Sequence, residues 1–441
     1  MSNQAILRIG REISQIQQGT DLSLAVACQE ADIRNVKALI VGPPGSPYEF
    51  GFFDFSIKFT EEYPASPPHV HATTTNGGRC RFNPNIYASG KVCFTWRGES
   101  GEQWSSAQGL ESILISIQSL MSCNPYENEP GFENAKSPSD VKYMKNYVAK
   151  IRHESLRISV IQRLESILGI QSDGTVLPQN NGSCYDDDED DGLSLDDERP
   201  AFEPFNDLYK LRFLWYYESY MLSIQEAQAK AKVGQQFESM PFESPGNTME
   251  GKFNYPELRR RMGIIKGAIM AETTNWAVEG LNAKNKEAGI AVNLQRQHEQ
   301  VVEDLRLRKH FTIDLGLEEG NPFVWTLTYF GRPMTHLDGG VFNIRISLSP
   351  RFPDEQPRVF VQTPLFHNRI SKEGILCYFP KKLEDMKAHV EAIIEALEEE
   401  SPPYDPRTTV NPEASKLFWG SADDKKKYNR MLRRSVQRST E

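Results

Sequence analysis

The strongest constraint on the fold of this chain is a pattern that occurs in it twice. The first copy, GPPGSPYEFGFFDFSIKFTEEYPASPPHV, spans residues 42–70, and the second, GRPMTHLDGGVFNIRISLSPRFPDEQPRV, spans residues 331–359. The two align without a gap, and glycines, prolines and apolar residues recur at matching positions. A Gly-x-x-Cys follows each copy, as Gly90–Cys93 and Gly374–Cys377. The sequence therefore predicts one domain present twice, with a cysteine after the sheet of each copy.

Alternating residues predict the sheet of each domain. Apolar and polar residues alternate over 53–59 in the first copy and over 342–348 in the second. A side-chain period of two is typical of a half-buried antiparallel strand. Helical patterns lie on both sides of each sheet, so the predicted fold class is α+β, an antiparallel meander sheet flanked by helices. We expect the two domains over residues 1–168 and 291–441.

Three segments show the spacing of amphipathic helices. The first runs from Ile6 to Gln18 and begins the first domain. The second follows Cys93, where Ser105-x-x-Gln108 is a capping box ahead of an apolar run that reaches Met121. A third run of the same kind follows the second cysteine, over 386–397. The residues expected on the buried face of the first helix are Ile6, Ile9, Ile13 and Ile16.

The segment between the two domains divides into an acidic and a helical part. Residues 169–204 are predicted to be an acidic flexible linker, because a dense run of Asp and Glu repels itself and cannot bury a core. The alternative is an acidic segment that engages a basic partner surface. Residues 205–290 are predicted to be a helical connecting region. Its aromatic stretch, 208–222, is expected to pack against one of the two copies, or else to bind a partner.

Composition excludes several classes of function. The chain has 441 residues, enough for two or three domains, and its net charge of −10 argues against a nucleic-acid binder. No stretch approaches the length of a membrane-spanning helix, and the N-terminus has no apolar signal-peptide region. The six cysteines show no C-x-x-C spacing, which speaks against zinc and disulfides and favours a reducing compartment.

Cys93 is the candidate nucleophile of the first copy. It lies in RFNPNIYASGKVCF, where Pro84 fixes the backbone and Gly90 permits a tight turn. A thiol protease needs a Cys/His pair, and no histidine here stands in a recognisable protease motif. A thiol with an amide nearby and no dedicated base suits a carrier, which accepts an acyl group by exchange and holds it.

Both copies resemble the catalytic core of ubiquitin-conjugating enzymes, the UBC fold. In the first copy the resemblance rests on Asn83-Pro84-Asn85 before the cysteine, on the turn YPASPP at 63–68, and on WSSAQGLESILISIQSLM after it. FNPN together with NPYENEPGFE resembles in particular the large subgroup typified by ubiquitin-conjugating enzyme Z. The second copy resembles the family most clearly in its last segment, NPEASKLFWGSADDKKKYNRMLRRSVQ.

The resemblance implies roles for four residues of the first copy. Cys93 would receive the C-terminus of ubiquitin, or of a ubiquitin-like modifier, as a thioester. Asn85 would donate its side-chain amide to the oxyanion formed when a lysine attacks, while a structural role in bracing the loop is the alternative. Glu127 and Glu129 are candidates to orient or deprotonate the incoming lysine. Their alternative reading is as solvated loop charges.

The second copy departs from the family at its motif. The motif reads His367-Asn368-Arg369, and the family's asparagine position relative to Cys377 falls on Arg369. Asn368 takes that place only if the loop slips by one residue. We therefore expect a degenerate copy that serves as a scaffold.

Cys377 and Asp405 nevertheless remain a candidate second site in this copy. Asp405 precedes a proline where the family places an acid near its cysteine. Arg369 is expected to pair with Asp405 or Glu373 and to close the groove over the thiol. The structural alternative for Cys377 is a buried, inert cysteine.

The leading interpretation is an acyltransferase that carries ubiquitin on Cys93 and passes it to lysine or to a ligase. The alternative is a non-catalytic ubiquitin-binding or adaptor protein built from UBC-like domains, and Cys93 together with Asn85 argues against it for the first copy. No P-loop is present, so no cofactor is expected, and the resemblance implies that the activating enzyme consumes the ATP. The expected partners are the modifier, the activating enzyme and ligases, in the cytoplasm, the nucleus or both, without nucleic acid or membrane.

Overall fold

The computed structural model describes residues 3–93, 103–177 and 202–441. Most of the predicted acidic linker, 178–201, lies outside the described residues. Within the described part of the chain, no helix is both long and apolar enough to cross a membrane.

The chain forms two compact units, and each holds one copy of the repeat. The first comprises Met1–Asn206 with Lys232–Ile265, and the second comprises Asp207–Ala231 with Lys266–Glu441. Each unit contains a four-stranded antiparallel sheet whose strands neighbour one another in sequence order, and helices flank it. The predicted α+β class, with two UBC-like domains built on meander sheets, is confirmed.

The first unit buries its apolar residues between the sheet and its helices. Phe53, Phe55 and Ile57 of the third strand are buried, as the alternation predicted. The strands are β1 (Leu24–Gln29), β2 (Asp32–Val41), β3 (Phe52–Lys58) and β4 (His69–Ala72), and the helices are α1 (Asn3–Gln18), α2 (Leu110–Leu120), α3 (Pro138–Glu154) and α4 (Arg163–Leu168), with a 3-10 turn at Pro125–Asn128 and a π-helical segment at Ser155–Gln162.

The first helix is rotated slightly from the predicted face. Ile9, Ile13 and Ile16 are buried as expected, but Ile6 is exposed and Ala5 is buried instead. The spacing of three and four residues is satisfied equally by a face that begins at Ala5, so the hydrophobic pattern alone did not decide between them.

The second helix begins later than the capping box predicted. Gln108 Oε1 accepts from the backbone N–H of Ser105 at 3.2 Å, but both residues lie in a turn ahead of α2, which starts at Leu110. The carboxylate of Glu12, on α1, accepts from the N–H of Leu110 at 2.9 Å. A helix start has unpaired N–H groups, and here a side chain distant in sequence satisfies one of them.

The second unit repeats the same plan. Its sheet is preceded by one helix of the copy and followed by three. The strands are β5 (Ile313–Leu317), β6 (Val324–Phe330), β7 (Val341–Ser347) and β8 (Arg358–Val361), and the helices are α5 (Asn206–Gln228), α6 (Tyr255–Asn285, whose first part counts with the first unit), α7 (Gly289–Leu307), α8 (Met386–Glu398), α9 (Pro412–Phe418) and α10 (Ala422–Arg438).

The glycines that begin the two repeats occupy the same tight place. A Cβ added at Gly42 would lie 1.8 Å from the carbonyl oxygen of Tyr48, and one at Gly331 would lie 1.7 Å from that of Leu337. No side chain fits at either position. The recurrence of these glycines therefore reflects one backbone conformation built twice.

The connecting region is not helical throughout, contrary to the prediction for residues 205–290. Helices α5 and α6 account for its two ends, but residues 229–254 between them contain no helix. Gly234 and the Pro245-Gly246 pair place turns there, and residues of this kind break helices. Residues 232–254 belong to the first unit, and we call them the strap.

A buried ion pair fastens the strap to the first unit. Lys150 Nζ, on α3, lies 2.6 Å from the carboxylate of Glu243, and both side chains are almost fully buried. The same carboxylate accepts from the backbone N–H groups of Met240 and Met249. Burial lowers the pKa of Lys150, so its charge depends on the glutamate beside it.

Replacing Glu243 with glutamine is expected to destabilise the first unit by about 3–5 kcal/mol. The change keeps the shape but leaves the buried Lys150 ammonium without its counter-ion. Urea unfolding of the full chain measures the effect, with Glu250→Gln as the control because Glu250 is an exposed residue of the same strap. We expect the control to shift stability by less than about 0.5 kcal/mol. Equal transitions for the two variants would show that the ion pair does not hold the strap.

Candidate active site

A hairpin-like loop places Asn85 beside Cys93 in the first unit. The loop follows β4 and doubles back so that Ile86 pairs with Val92. The backbone N–H of Cys93 donates to the carbonyl oxygen of Asn85 at 2.8 Å. Cys93 and Asn85 are both half-buried, so each side chain is reachable from solvent.

Asn83 holds the loop from behind. It is fully buried, and its Nδ2 donates to the hydroxyl of Tyr48 at 3.1 Å and to the carbonyl oxygen of Leu120 at 2.7 Å. Its Oδ1 accepts from the backbone N–H of Asn85 at 2.9 Å. The side-chain amide of Asn85 forms no hydrogen bond with the part of the chain that the structure describes. The bracing is thus done by Asn83, and the amide of Asn85 stays available to a ligand.

Tyr87 is a site residue that the sequence analysis missed. Burial raises the pKa of its phenol, and the Cys93 thiol is the next cause, so the two side chains are neighbours. The phenol of Tyr87 therefore stays protonated near neutral pH. The signal in the sequence was limited to its place in the loop between Asn85 and Cys93.

The structure treats the two candidate acids differently. Glu129 lies 2.9 Å from the guanidinium of Arg81, and its charge contributes to the raised pKa of Tyr87, which places it near the site. Glu127 is exposed on the 3-10 turn and forms no ion pair with a described residue. Glu129 is thus already engaged by a cation of the protein itself, which the sequence analysis did not foresee.

The second copy folds its loop in the same register. The backbone N–H of Cys377 donates to the carbonyl oxygen of Arg369 at 2.9 Å, and that of Arg369 donates to His367 Nδ1 at 3.2 Å. These bonds match those of the first copy, so Arg369 occupies the position of Asn85. The loop does not slip, and Asn368 does not take the asparagine's place.

Cys377 is sealed inside the second unit. It has no exposed surface, and burial raises the pKa of its thiol to about 12. Helix α5 packs beside it: Trp215 Nε1 donates to the carbonyl oxygen of Leu376 at 3.1 Å, and the Trp215 ring meets the ring of Phe379 edge-on. The aromatic stretch thus packs against a copy of the repeat.

The prediction that Arg369 pairs with Asp405 or Glu373 is wrong. Arg369 pairs with Glu399 at 2.5 Å, whereas Glu373 pairs with a lysine of α6. Asp405 caps the 3-10 turn that follows it and binds the guanidinium of Arg407 at 2.9 Å. An acid that caps its own turn is already satisfied, which is why it does not reach across to Arg369.

The two repeat cysteines are expected to differ in reactivity toward a thiol reagent. Disulfide-exchange reagents attack the thiolate, and they need access to the sulfur. Full-length native protein treated with Ellman's reagent should release the coloured aromatic thiolate in a fast phase. The amplitude of this phase should fall by one equivalent in Cys93→Ala. Cys377→Ala should leave the fast amplitude unchanged because Cys377 is buried. Loss of a fast equivalent in Cys377→Ala would show that the second thiol is open to solvent.

His367 is expected to make the second unit sensitive to acid. Burial, with His336 and Arg369 nearby, lowers the pKa of His367 to about 3. In the unfolded chain the pKa of histidine is about 6.5, so from pH 6.5 down to 3 only the unfolded state binds this proton. Stability should therefore fall as pH falls through this window, by about 1.4 kcal/mol per pH unit from this residue.

The matched variant is His367→Asn, since asparagine already serves at the same position of the first copy, as Asn83. The amide oxygen can accept from the N–H of Arg369 without titrating. Urea unfolding followed by tryptophan fluorescence should give similar stabilities at pH 7 and a smaller loss toward pH 4 in the variant. Parallel pH profiles for the variant and the wild type would rule out this role of His367.

Comparison with known proteins points to one family. A family profile described as "Ubiquitin-conjugating enzyme" matches residues 8–154 and 294–435. The chain is 34% identical over 292 residues to human "Ubiquitin-conjugating enzyme E2 Z", which covers 66% of this chain and 71% of that protein. It is 47% identical over 165 residues to the Xenopus tropicalis protein of the same name, covering 37% and 52%. Human "Dual E2 ubiquitin-conjugating enzyme/E3 ubiquitin-protein ligase BIRC6" is 37% identical over 151 residues, which is 33% of this chain and 3% of that protein.

Proposed function

Because this chain belongs to the ubiquitin-conjugating enzyme family, we propose that its first unit carries ubiquitin, or a ubiquitin-like modifier, as a thioester on Cys93. An activating enzyme supplies the modifier, and lysine or a ligase receives it. The observation that carries the proposal is the pairing of a reachable thiol with the unengaged amide of Asn85, held beside it by Asn83. This arrangement suits acyl transfer, since the developing oxyanion needs a preorganised donor.

The proposed reaction has two steps. In loading, the Cys93 thiolate attacks the thioester on the activating enzyme, so one C–S bond forms and another breaks. In discharge, a lysine amine attacks the thioester carbonyl, the C–N bond forms, and the C–S bond to Cys93 breaks. The amine proton passes to solvent, and the thiolate is regenerated. Asn85 donates to the carbonyl oxygen while that oxygen bears negative charge, and Tyr87 is a neighbour of the sulfur.

The second unit is proposed to be a scaffold that binds ubiquitin, a ligase or the first unit. The adaptor function is favoured for this unit by the burial of Cys377 and by Arg369 at the asparagine position. A buried thiol whose pKa is raised to about 12 has almost no thiolate at neutral pH. The proposed setting is the cytoplasm or the nucleus, where thiols stay reduced.

A charging reaction tests the proposal. The full chain is incubated with activating enzyme, ATP and ubiquitin, and the products are separated on a non-reducing gel. We expect an adduct larger by one ubiquitin that disappears when a reductant is added, because thiols cleave thioesters. A parallel reaction with ubiquitin-like modifiers and their activating enzymes covers the other carriers. Absence of a reductant-sensitive adduct in every reaction, with activating enzymes shown to be active, would overturn the proposal.

A further inference from the structure

Arg81 is a buried cation at the centre of the loop that carries the site. Its Nη2 donates to the carbonyl oxygen of Pro84 at 2.8 Å and to the carboxylate of Glu129 at 2.9 Å. Its Nη1 donates to the carbonyl oxygen of Phe242, in the strap, at 3.1 Å. The guanidinium also lies 5.1 Å from the ring centroid of Tyr87. One side chain thus ties together the loop before Cys93, the loop with Glu129, and the strap.

Two of these contacts act directly on residues of the site. The carbonyl of Pro84 belongs to the peptide bond that leads into Asn85, so fixing this carbonyl fixes the orientation of the asparagine backbone. The contact with the Tyr87 ring holds a residue whose side chain neighbours the Cys93 thiol. Arg81 bonds Pro84, Glu129 and Phe242 rather than the side chains of Cys93 or Asn85, so its influence passes through its neighbours.

The strap supports the same loop through its backbone and through Asn247. The N–H of Arg81 donates to the carbonyl oxygen of Thr248 at 2.9 Å, and Cys80 pairs with Met249 as in an antiparallel bridge. The Oδ1 of Asn247 accepts from the N–H of Ala88 at 3.1 Å. The strap therefore contacts the loop at both ends, before Pro84 and after Tyr87.

The second copy has neither this arrangement nor a reachable thiol. At the same distances before its cysteine it has Leu365, Arg369 and Ser371, where the first copy has Arg81, Asn85 and Tyr87. Leu365 is buried and offers no hydrogen bond. The arginine, the asparagine and the tyrosine thus occur together in the copy whose cysteine is accessible, and none of them stands at the matching position of the copy whose cysteine is buried.

We propose that Arg81 is a positioning residue, and that the strap and Glu129 hold it so that the loop presents Asn85 and Tyr87 to the thioester on Cys93. The part of this inference that concerns transfer rests on the proposed function. It gives Glu129 the role of counter-ion to Arg81 rather than that of a free base for lysine. It also makes the strap, which lies far along the chain from the repeat, a working part of the first unit.

The test compares Arg81→Lys with Arg79→Lys in the full chain. Lysine keeps the charge opposite Glu129 but lacks the planar fork, so it cannot bond Pro84, Glu129 and Phe242 together. Arg79 is exposed and forms no side-chain bond with a described residue, so its variant controls for the substitution. Asn247→Ala is a third variant, which leaves the buried cation in place and removes only one support of the loop.

The first measurement needs no activity. Amide hydrogen exchange over residues 82–93 reports the backbone bonds of the loop, including the one from Cys93 to Asn85. We expect faster exchange there in Arg81→Lys and, around Ala88, in Asn247→Ala, with no change in Arg79→Lys. Unchanged exchange in both test variants would overturn the bracing role, whether or not the protein forms a thioester.

The second measurement separates positioning from general damage. Preformed thioester is discharged in single turnover either to free lysine or to a small thiol. We expect Arg81→Lys to slow discharge to lysine by about 10- to 100-fold, as small misplacements of reacting groups do, and to leave thiol exchange within about twofold. A general structural defect would slow both reactions alike. Equal slowing of both, or discharge to lysine at the wild-type rate, would overturn the role in transfer.

The two measurements also distinguish this inference from the proposed function. If the wild-type chain forms no thioester, the proposed function fails, and the role in transfer fails with it, while the exchange data still decide the bracing of the loop. If the wild type charges and discharges but Arg81→Lys behaves as Arg79→Lys does, the proposed function stands and this inference fails.

Discussion

Cys93→Ala is expected to abolish the reductant-sensitive ubiquitin adduct completely. The substitution removes the sulfur on which the thioester forms, and the second repeat cysteine offers no substitute because it is fully buried. Charging with activating enzyme, ATP and ubiquitin on a non-reducing gel measures the effect. Alanine at this half-buried position leaves the backbone bond from residue 93 to Asn85 in place, so the fold should be unaffected.

Cys377→Ala is the matched control for this prediction. The same substitution in the second copy should leave charging at the wild-type level, although it removes a buried side chain and costs some stability. An adduct that persists in Cys93→Ala and disappears only when Cys377 is also replaced would place the carrier site in the second copy.

Asn85→Ala is expected to separate loading from discharge. Loading should stay close to the wild-type rate, because thiol exchange needs less help at the oxyanion. Discharge to free lysine should slow by about 10²–10³-fold, the cost of removing one oxyanion donor in other enzymes. Single-turnover discharge of purified thioester measures the step without interference from loading.

Ser89→Ala serves as the control for the asparagine variant. Ser89 is an exposed residue of the same loop, so its loss should change neither step. The loop should keep its shape in Asn85→Ala, since the backbone of residue 85 and the side chain of Asn83 form the bracing bonds. Discharge at the wild-type rate in Asn85→Ala would show that Asn85 has only a structural role.

The repeated part of the fold was predictable because its signals are local. Alternation over β3 and β7 predicted strands, and the glycines at 42 and 331 marked a backbone turn that admits no side chain. The register of each loop relative to its cysteine was also predictable by counting. It is confirmed by the matching bonds from Cys93 to Asn85 and from Cys377 to Arg369.

What the sequence did not predict depends on contacts between distant segments. The start of α2 is set by Glu12, on another helix, and this overrides the local capping box. The partner of Arg369 is decided by which acid the fold brings near, and a nearer acid in sequence was the wrong choice. Burial of Cys377 is completed by α5, which precedes it by many residues.

The strap is the largest part of the site that sequence reasoning missed. Turn residues between 229 and 254 signalled that no continuous helix spans the region, but nothing local linked this segment to the first copy. Arg81, between buried Cys80 and Phe82, gave a weaker signal, since a charge in a buried stretch requires a partner. A chain cut near residue 170 would lack the strap, so it would test the loss of this support together with the loss of the second copy.

The most direct test of the carrier function is the intact mass of the charged full-length chain under non-reducing conditions. We expect a mass increase of one ubiquitin per chain, reversed by reductant, with peptide mapping that assigns the modification to Cys93. Two ubiquitins per chain, or one assigned to Cys377, would contradict the division into a carrier unit and a sealed scaffold. The absence of any mass increase with an active activating enzyme for each modifier tested would contradict the carrier function itself.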